Sequence, residues 1–324
     1  MKRTILKNDL KSYQCKERNI IDKVIEYYKE YNIIEKKKNY EEEKTITGHT
    51  KCVTSLLRLK DGRVASCSLD KTIRIYDPSN DYHCDKVIKR HSKGINSICE
   101  LSDGTIVSYS ADKSIMIGDY RIINAHDEDI IKVISLSNNR IASCGGYTIK
   151  IWKSNPPYSS IPITILEEYI VYVTSLLYIK ERDIMIYGCL DKILLLWNMS
   201  TYQCEQEIEG VECSWINALY QIDSDRVIVG GKNIFRIVNI DKCVIEKKIR
   251  DQSLGNVRCF LKLRDNKTIL CGCDNGSFCF YDMETEQYKT TRNNHKDNIT
   301  DLLLMDENTF LSCSKDETIR VWKY

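Results

Sequence analysis

An all-β fold of seven repeated four-stranded antiparallel units, preceded by an α-helix, is predicted by three observations in the sequence. The first is a phrase, SCSKDETIRVWK at residues 312–323, that reads as strand, tight turn, strand. A turn spans residues 314–317, and residues 318–322 alternate Thr, Ile, Arg, Val, Trp with the period of a strand. Close copies are SCSLDKTIRIYD (66–77) and SYSADKSIMIGD (108–119). Looser copies are SCGGYTIKIWK (143–153), YGCLDKILLLWN (187–198), VGGKNIFRIVN (229–239) and CGCDNGSFCFYD (271–282), seven in all. The second observation is spacing. Tyr76, Gly118, Trp152, Trp197, Val238, Tyr281 and Trp322 fall in register with steps of 42, 34, 45, 41, 43 and 41 residues, a period that signals a repeat architecture. The third is histidine placement. His49, His91, His126 and His295, four of the five histidines, each precede a copy by a nearly constant distance, and each is separated by three residues from a following Val or Ile.

Histidine before the first strand, Ser in the second, Asp in the turn and Trp in the third together resemble the WD-repeat β-propeller family, over about residues 44–324. The resemblance implies a seven-bladed propeller in which these four side chains form a hydrogen-bonded tetrad bracing each blade. By position the tetrad is complete in the last blade, as His295, Ser312, Asp316 and Trp322. The first blade keeps His49, Ser66 and Asp70 and has Tyr76 for Trp; the second has His91, Ser108 and Asp112 with Gly118. The third has His126, Ser143 and Trp152, and a one-residue deletion at Gly145 and Gly146 removes the Asp. Blades four to six lack the histidine.

Residues 1–43 differ in kind from the remainder: they contain no Gly or Pro. Leu6, Leu10, Tyr13, Glu17, Ile20, Val24, Tyr27, Tyr31 and Ile34 are spaced by four and three, so a helix is expected over about residues 9–34. Ile21, Ile25 and Tyr28 widen its stripe beyond a coiled-coil seam. The stripe has three possible homes: the rim of its own propeller, a second copy of the chain, or another protein, so residues 6–34 are a candidate homodimer or partner contact. A helix before a seven-bladed propeller also resembles the layout of the heterotrimeric G-protein β subunit. Residues 35–43, with KKK and EEE blocks, read as a solvated linker. The chain stops just after a third strand, so residues 44–47 (KTIT) are expected to supply the fourth strand of the last blade and close the ring.

At 324 residues the chain accommodates seven blades of about forty residues plus this extension. Lys and Arg number 48 against 46 Asp and Glu, a net charge of +2, and no basic, aromatic-interleaved stripe suggests nucleic acid as a partner. Fifteen cysteines are many, but Cys67, Cys144, Cys189, Cys271 and Cys313 lie in or beside second strands, where small apolar residues pack. With no CxxC pair and no zinc-finger spacing, neither a metal site nor a cofactor is expected. The start MKRTILKND lacks the apolar core of a secretory signal, and no apolar run reaches the roughly 20 residues of a membrane span. A cytoplasmic location without membrane contact is the expectation.

The family's layout implies that residues flanking the start of each innermost strand, and the residue before the turn Asp, face the top of the propeller. In this chain they include Leu69, Asp129, Tyr172, Leu190, Trp215, Asn217, Arg258, Asp274 and Lys315. Tyr172, Trp215 and Arg258 are of the types enriched at interface hot spots and fall on successive blades. Trp215 also has a packing alternative, as an aromatic filling a blade whose usual Trp is Val238. There is no GxxxxGK[ST], no GxSxG and no HExxH, and four histidines are assigned to bracing, so no catalytic residue is nominated. The sequence therefore reads as a non-catalytic scaffold or adaptor that binds a peptide or protein on the propeller top. The alternatives are a substrate receptor of a ubiquitin ligase and a G-protein-β-like signalling subunit; a propeller enzyme stands behind both.

Overall fold

The period-two alternation of the repeats becomes strands wherever it occurs. The computed structural model describes residues 40–166, 172–211 and 215–324; the helix expected over residues 9–34 lies outside them. Among the described residues, twenty-eight strands form seven four-stranded sheets, each a blade with strands a to d from the inside outwards. The inner strands are Val53–Arg58, Ile95–Glu100, Ile130–Leu136, Val173–Ile179, Ala218–Gln221, Val257–Lys262 and Ile299–Leu304. They touch one another in cyclic order, the last against the first, and so line a central channel. The fold is an all-β, seven-bladed propeller.

Blade seven consists of Ile299–Leu304, Thr309–Ser314 and Ile319–Lys323, with Glu41–Ile46 hydrogen-bonded outside Ile319–Lys323. That outer strand begins at Glu41, so residues 41–43, read from sequence as the end of a linker, are strand. Ile46 packs among Val53, Leu56, Tyr76, Met305 and Leu311 and joins the first and last blades in one apolar cluster.

Burial follows position in the blade. The b strands Val64–Ser68, Arg140–Gly145, Ile184–Cys189, Thr268–Cys273 and Thr309–Ser314 are buried at every residue, because neighbouring blades cover both faces. Cys67, Cys144, Cys189, Cys271 and Cys313 sit there at 0 % exposure as free thiols. Burial drives the Cys67 and Cys144 thiols up to about 12, which keeps them uncharged. The rim strands His83–Lys89 and Val244–Arg250 are largely exposed and polar.

Two irregularities shape the rest. Blade two has a shortened outer half: Gly118, with φ +56°, stands where five of the other blades carry an aromatic, and strands c and d shrink to Ile115–Ile117 and Tyr120–Ile122. The shortened hairpin accounts for the 34-residue step. In blades one, two, three, four, six and seven the a–b ladder skips one residue just after the first residue of strand a. A bulge of this kind leaves its extra residue unpaired and re-aims the side chain. Thr54, Asn96 and Thr300 use that freedom to cross to the next blade, donating to Ile95 O (2.7 Å), Ile130 O (2.6 Å) and Val53 O (2.5 Å). Blades seven, one, two and three are thereby stitched in series.

Candidate protein-binding surface

The positions expected to brace the blades are rigidly engaged. In blade seven Trp322 Nε1 donates to Ser312 Oγ at 2.8 Å, Ser312 lies 2.7 Å from His295 Nε2, and His295 Nδ1 lies 2.9 Å from Asp316 Oδ2. A carboxylate only accepts, so Nδ1 carries the proton and Nε2 accepts from Ser312: the chain runs Trp to Ser to His to Asp. Asp316 also accepts from Thr318 Oγ1 (2.6 Å) and the Lys296 N–H (3.0 Å). Burial opposes its ionisation, yet these donors and His295 hold it far below the usual carboxylate range.

Blade one repeats the arrangement, His49 lying 2.7 Å from both Ser66 and Asp70, with Tyr76 buried at 1 % exposure in the Trp position. In blade two His91 meets Ser108 at 3.0 Å and Asp112 at 3.1 Å. There Arg121, on the short outer strand, reaches back to Asp112 Oδ2 at 3.0 Å and Ser114 Oγ at 3.2 Å. Burial would raise the Asp112 carboxyl, but Ser114, the Ser92 N–H and His91 bring it down to about 2. Blade three substitutes Thr148 for the missing Asp: His126 Nδ1 is 3.0 Å from Thr148 Oγ1, while Ser143 bonds His126 Nε2 (2.7 Å) and Trp152 Nε1 (2.8 Å). Blades four to six put Tyr187, Val229 and Cys271 in the serine position, all in buried strands, and pack by shape instead. Gly188 illustrates this: a Cβ there would come within 2.4 Å of Ile216 of the next blade.

The top face is formed by the b–c turns and the loops that lead into the inner strands. Its sequence-nominated residues fall into two groups. One is already committed within the frame. Asp274 accepts from the Asn256 N–H (2.7 Å) and Nδ2 (2.5 Å), and Leu69, although 36 % exposed, backs onto Gly94 of the next blade. Asn217 donates its N–H to Gly230 O at 2.9 Å. The other group is presented to solvent. Trp215 is 60 % exposed, which leaves the centre of blade five to the fully buried Val238. Asp129 and Lys315 are exposed, and Tyr172, Leu190 and Arg258 are half-buried. Arg258 occupies the bulge position in blade six and has no hydrogen-bond or ion-pair partner among the described residues.

Three participants were not nominated from the sequence. Tyr147, 54 % exposed in the blade three turn, meets Tyr172 edge to face with ring centroids 5.6 Å apart. It becomes visible in the sequence once the deletion beside it is aligned. Lys132 and Asp301 lie one residue past the bulge of their inner strands, the position that faces the channel. Asp301 accepts from Ser55 Oγ, the Leu56 N–H and its neighbour's Leu302 N–H, each at 2.9 Å. Burial pushes its pKa up, and those hydrogen bonds together with Lys132 counter the rise. Among the described residues no cluster of His, Cys, Asp and Glu could hold a metal ion, and no helix is long and apolar enough to cross a membrane.

Comparison with known families bears on this frame. The WD40 family model, described as WD domain, G-beta repeat, matches residues 40–77, 82–119 and 286–323. Each match takes in an outer strand and the next three inner ones. The three together cover the blades in which His, Ser and Asp are all retained. No curated protein matches the chain.

Proposed function

For this seven-bladed propeller carrying WD40 repeats, we propose the role of an interaction scaffold whose top face binds a peptide or protein segment across blades three to six. A fold of this kind is consistent with such a role, and fold alone does not select a partner. The observation that carries the reading is Trp215. Trp215 is 60 % exposed, and together with Tyr147, Tyr172 and Arg258 it supplies the residue types that dominate interface energetics. Arg258, without a hydrogen-bond or ion-pair partner among the described residues, adds a donor for a backbone or carboxylate group. In the channel Asp301 is engaged by Ser55, Leu56 and Leu302, which suits bracing better than acid–base work. We further propose that residues 6–34 provide a second contact, to a copy of the chain or to another protein, which would make the molecule an adaptor.

The test is the Trp215→Ala variant. An exposed side chain contributes within about 0.5 kcal/mol to stability, so melting should stay essentially unchanged. A hot-spot aromatic contributes about 2 kcal/mol or more to binding, so proteins captured from a cell extract by the wild-type chain should be lost or strongly depleted, as quantified by mass spectrometry. Unchanged capture, or a large drop in melting temperature, sinks the reading. Light scattering of the full chain beside a chain beginning at Tyr40 reports on the second contact.

A further inference from the structure

The junction of blades three and four carries a surface whose chemistry selects its partner. The deletion that removed the turn Asp of blade three leaves Gly146 and Tyr147 as the turn between the paired Gly145 and Thr148, with Gly146 at φ +63°. A Cβ on Gly146 would lie 2.8 Å from Glu128 Cγ, so the Glu128 side chain lies along the turn beside Tyr147. The Val173 N–H donates to Gly146 O at 3.1 Å, which fixes the entry to blade four, and with it Tyr172, against the same turn. The edge-to-face tyrosine pair is therefore held by backbone on both sides. Asp127, Glu128 and Asp129 are consecutive, exposed, and form no ion pair among the described residues. The cation beside them, Lys113, donates to the Asp127 backbone carbonyl. The Tyr172 phenol is raised by burial and then by Glu128 and Asp129, which places both carboxylates within electrostatic reach of the ring.

We propose that Tyr147 and Tyr172 with Glu128 and Asp129 form a subsite for a lysine or arginine side chain of a basic protein segment. This rests on the interaction-surface reading above and names the partner's chemistry. A cationic side chain lays its aliphatic stem on a tyrosine ring and its charge against the ring face, a contact that contributes more where carboxylates stand beside the rings. An acidic segment meets three unpaired negative charges and is repelled.

Degenerate 12-residue peptide pools, each with a central Lys, Arg, Ala or Glu, immobilised and probed with the full chain at low salt, test the proposal. The expected result is capture by the Lys or Arg pools about tenfold above the Ala pool, corresponding to about 1.4 kcal/mol, with the Glu pool lowest. That preference should vanish in the Glu128→Lys, Asp129→Lys double variant and in Tyr147→Ala, and survive in Tyr147→Phe, which keeps the ring. The three substituted positions are exposed, and unchanged melting certifies the variants. Equal capture by all pools, preference for Glu, or a Lys/Arg preference that survives charge reversal overturns the subsite. If capture is indifferent to the central residue yet lost in Trp215→Ala, the top-face scaffold stands and the basic partner falls. If the wild-type chain captures no pool, both fall.

Discussion

Ser312 accepts from Trp322 Nε1 and donates to His295, so one hydroxyl closes a chain of four side chains. Blade four offers the comparison: Trp197 is equally buried, but its serine position is Tyr187, and its indole N–H has no hydrogen-bond partner among the described residues. Replacing either tryptophan by Phe opens a similar void, whereas only Trp322 forfeits a hydrogen bond. Trp322→Phe is therefore expected to cost about 1 kcal/mol more than Trp197→Phe, read as the difference between their denaturant-unfolding free energies. Equal losses would mean that the bond to Ser312 contributes nothing net. At this scale the sequence was largely legible, because a polar side chain recurring at a fixed register in a buried strand has to be paired. Tyr147 escaped notice because a deletion took it out of register.

A blade is the element of this fold, and blade three shows most clearly how bracing depends on pH. Burial, and after it the Lys150 charge, lowers His126 to about 4, so the folded blade holds a neutral imidazole that the unfolded chain would protonate below its ordinary value of 6.5. A depressed histidine stabilises the fold above the unfolded value, and the stabilisation is lost as pH falls from 6.5 towards 4. His49 and His91 are shifted the same way, chiefly by burial, and add to acid lability. Lys150→Met removes the second cause: the His126 titration followed by NMR should move up towards 6.5, and the fall in melting temperature between pH 6.5 and 4 should become shallower. A titration that stays near 4 would leave burial as the whole cause. Alternation in the sequence marks the strands of a blade, but the inner-strand bulge leaves no mark on it. The bulge is absent from blade five, and where it occurs it frees Thr54, Asn96 and Thr300 to reach the neighbouring blade.

For the whole molecule the decisive seam lies between blades seven and one. It combines the outer strand Glu41–Ile46 in the last sheet, the Thr300 bond to Val53, the Asp301 bonds to Ser55 and Leu56, and a bond from Arg58 to the Met305 carbonyl. Blade seven is the sheet completed from both ends of the described chain, with Glu41–Ile46 held to Ile319–Lys323 only by strand pairing, so opening is expected to start there. A chain beginning at Gly48 loses the outer strand, exposes the edge of Ile319–Lys323 and uncovers the cluster around Ile46. Compared with a chain beginning at Tyr40, it should melt several degrees lower and self-associate, since an open strand edge pairs with whatever edge it meets. Identical melting and mass would show that the remaining seam contacts suffice.

The sequence by itself determined the number of blades, their strand order, the braced positions of blades one, two, three and seven and the burial of five second-strand cysteines, because each is read from a local pattern that recurs along the chain. Only the tertiary structure decided which polar residues would be used up in holding the ring. Asp274 and Thr54 look as available in the sequence as Arg258 does, yet the first two are engaged by neighbours and the third is not. Availability depends on partners brought together from distant parts of the chain, as with Asp301 and Ser55, 246 residues apart. No period in a sequence encodes that distance, so Tyr172, Trp215 and Arg258 could be nominated from the sequence, but that Tyr147 joins them emerged only once the ring was closed.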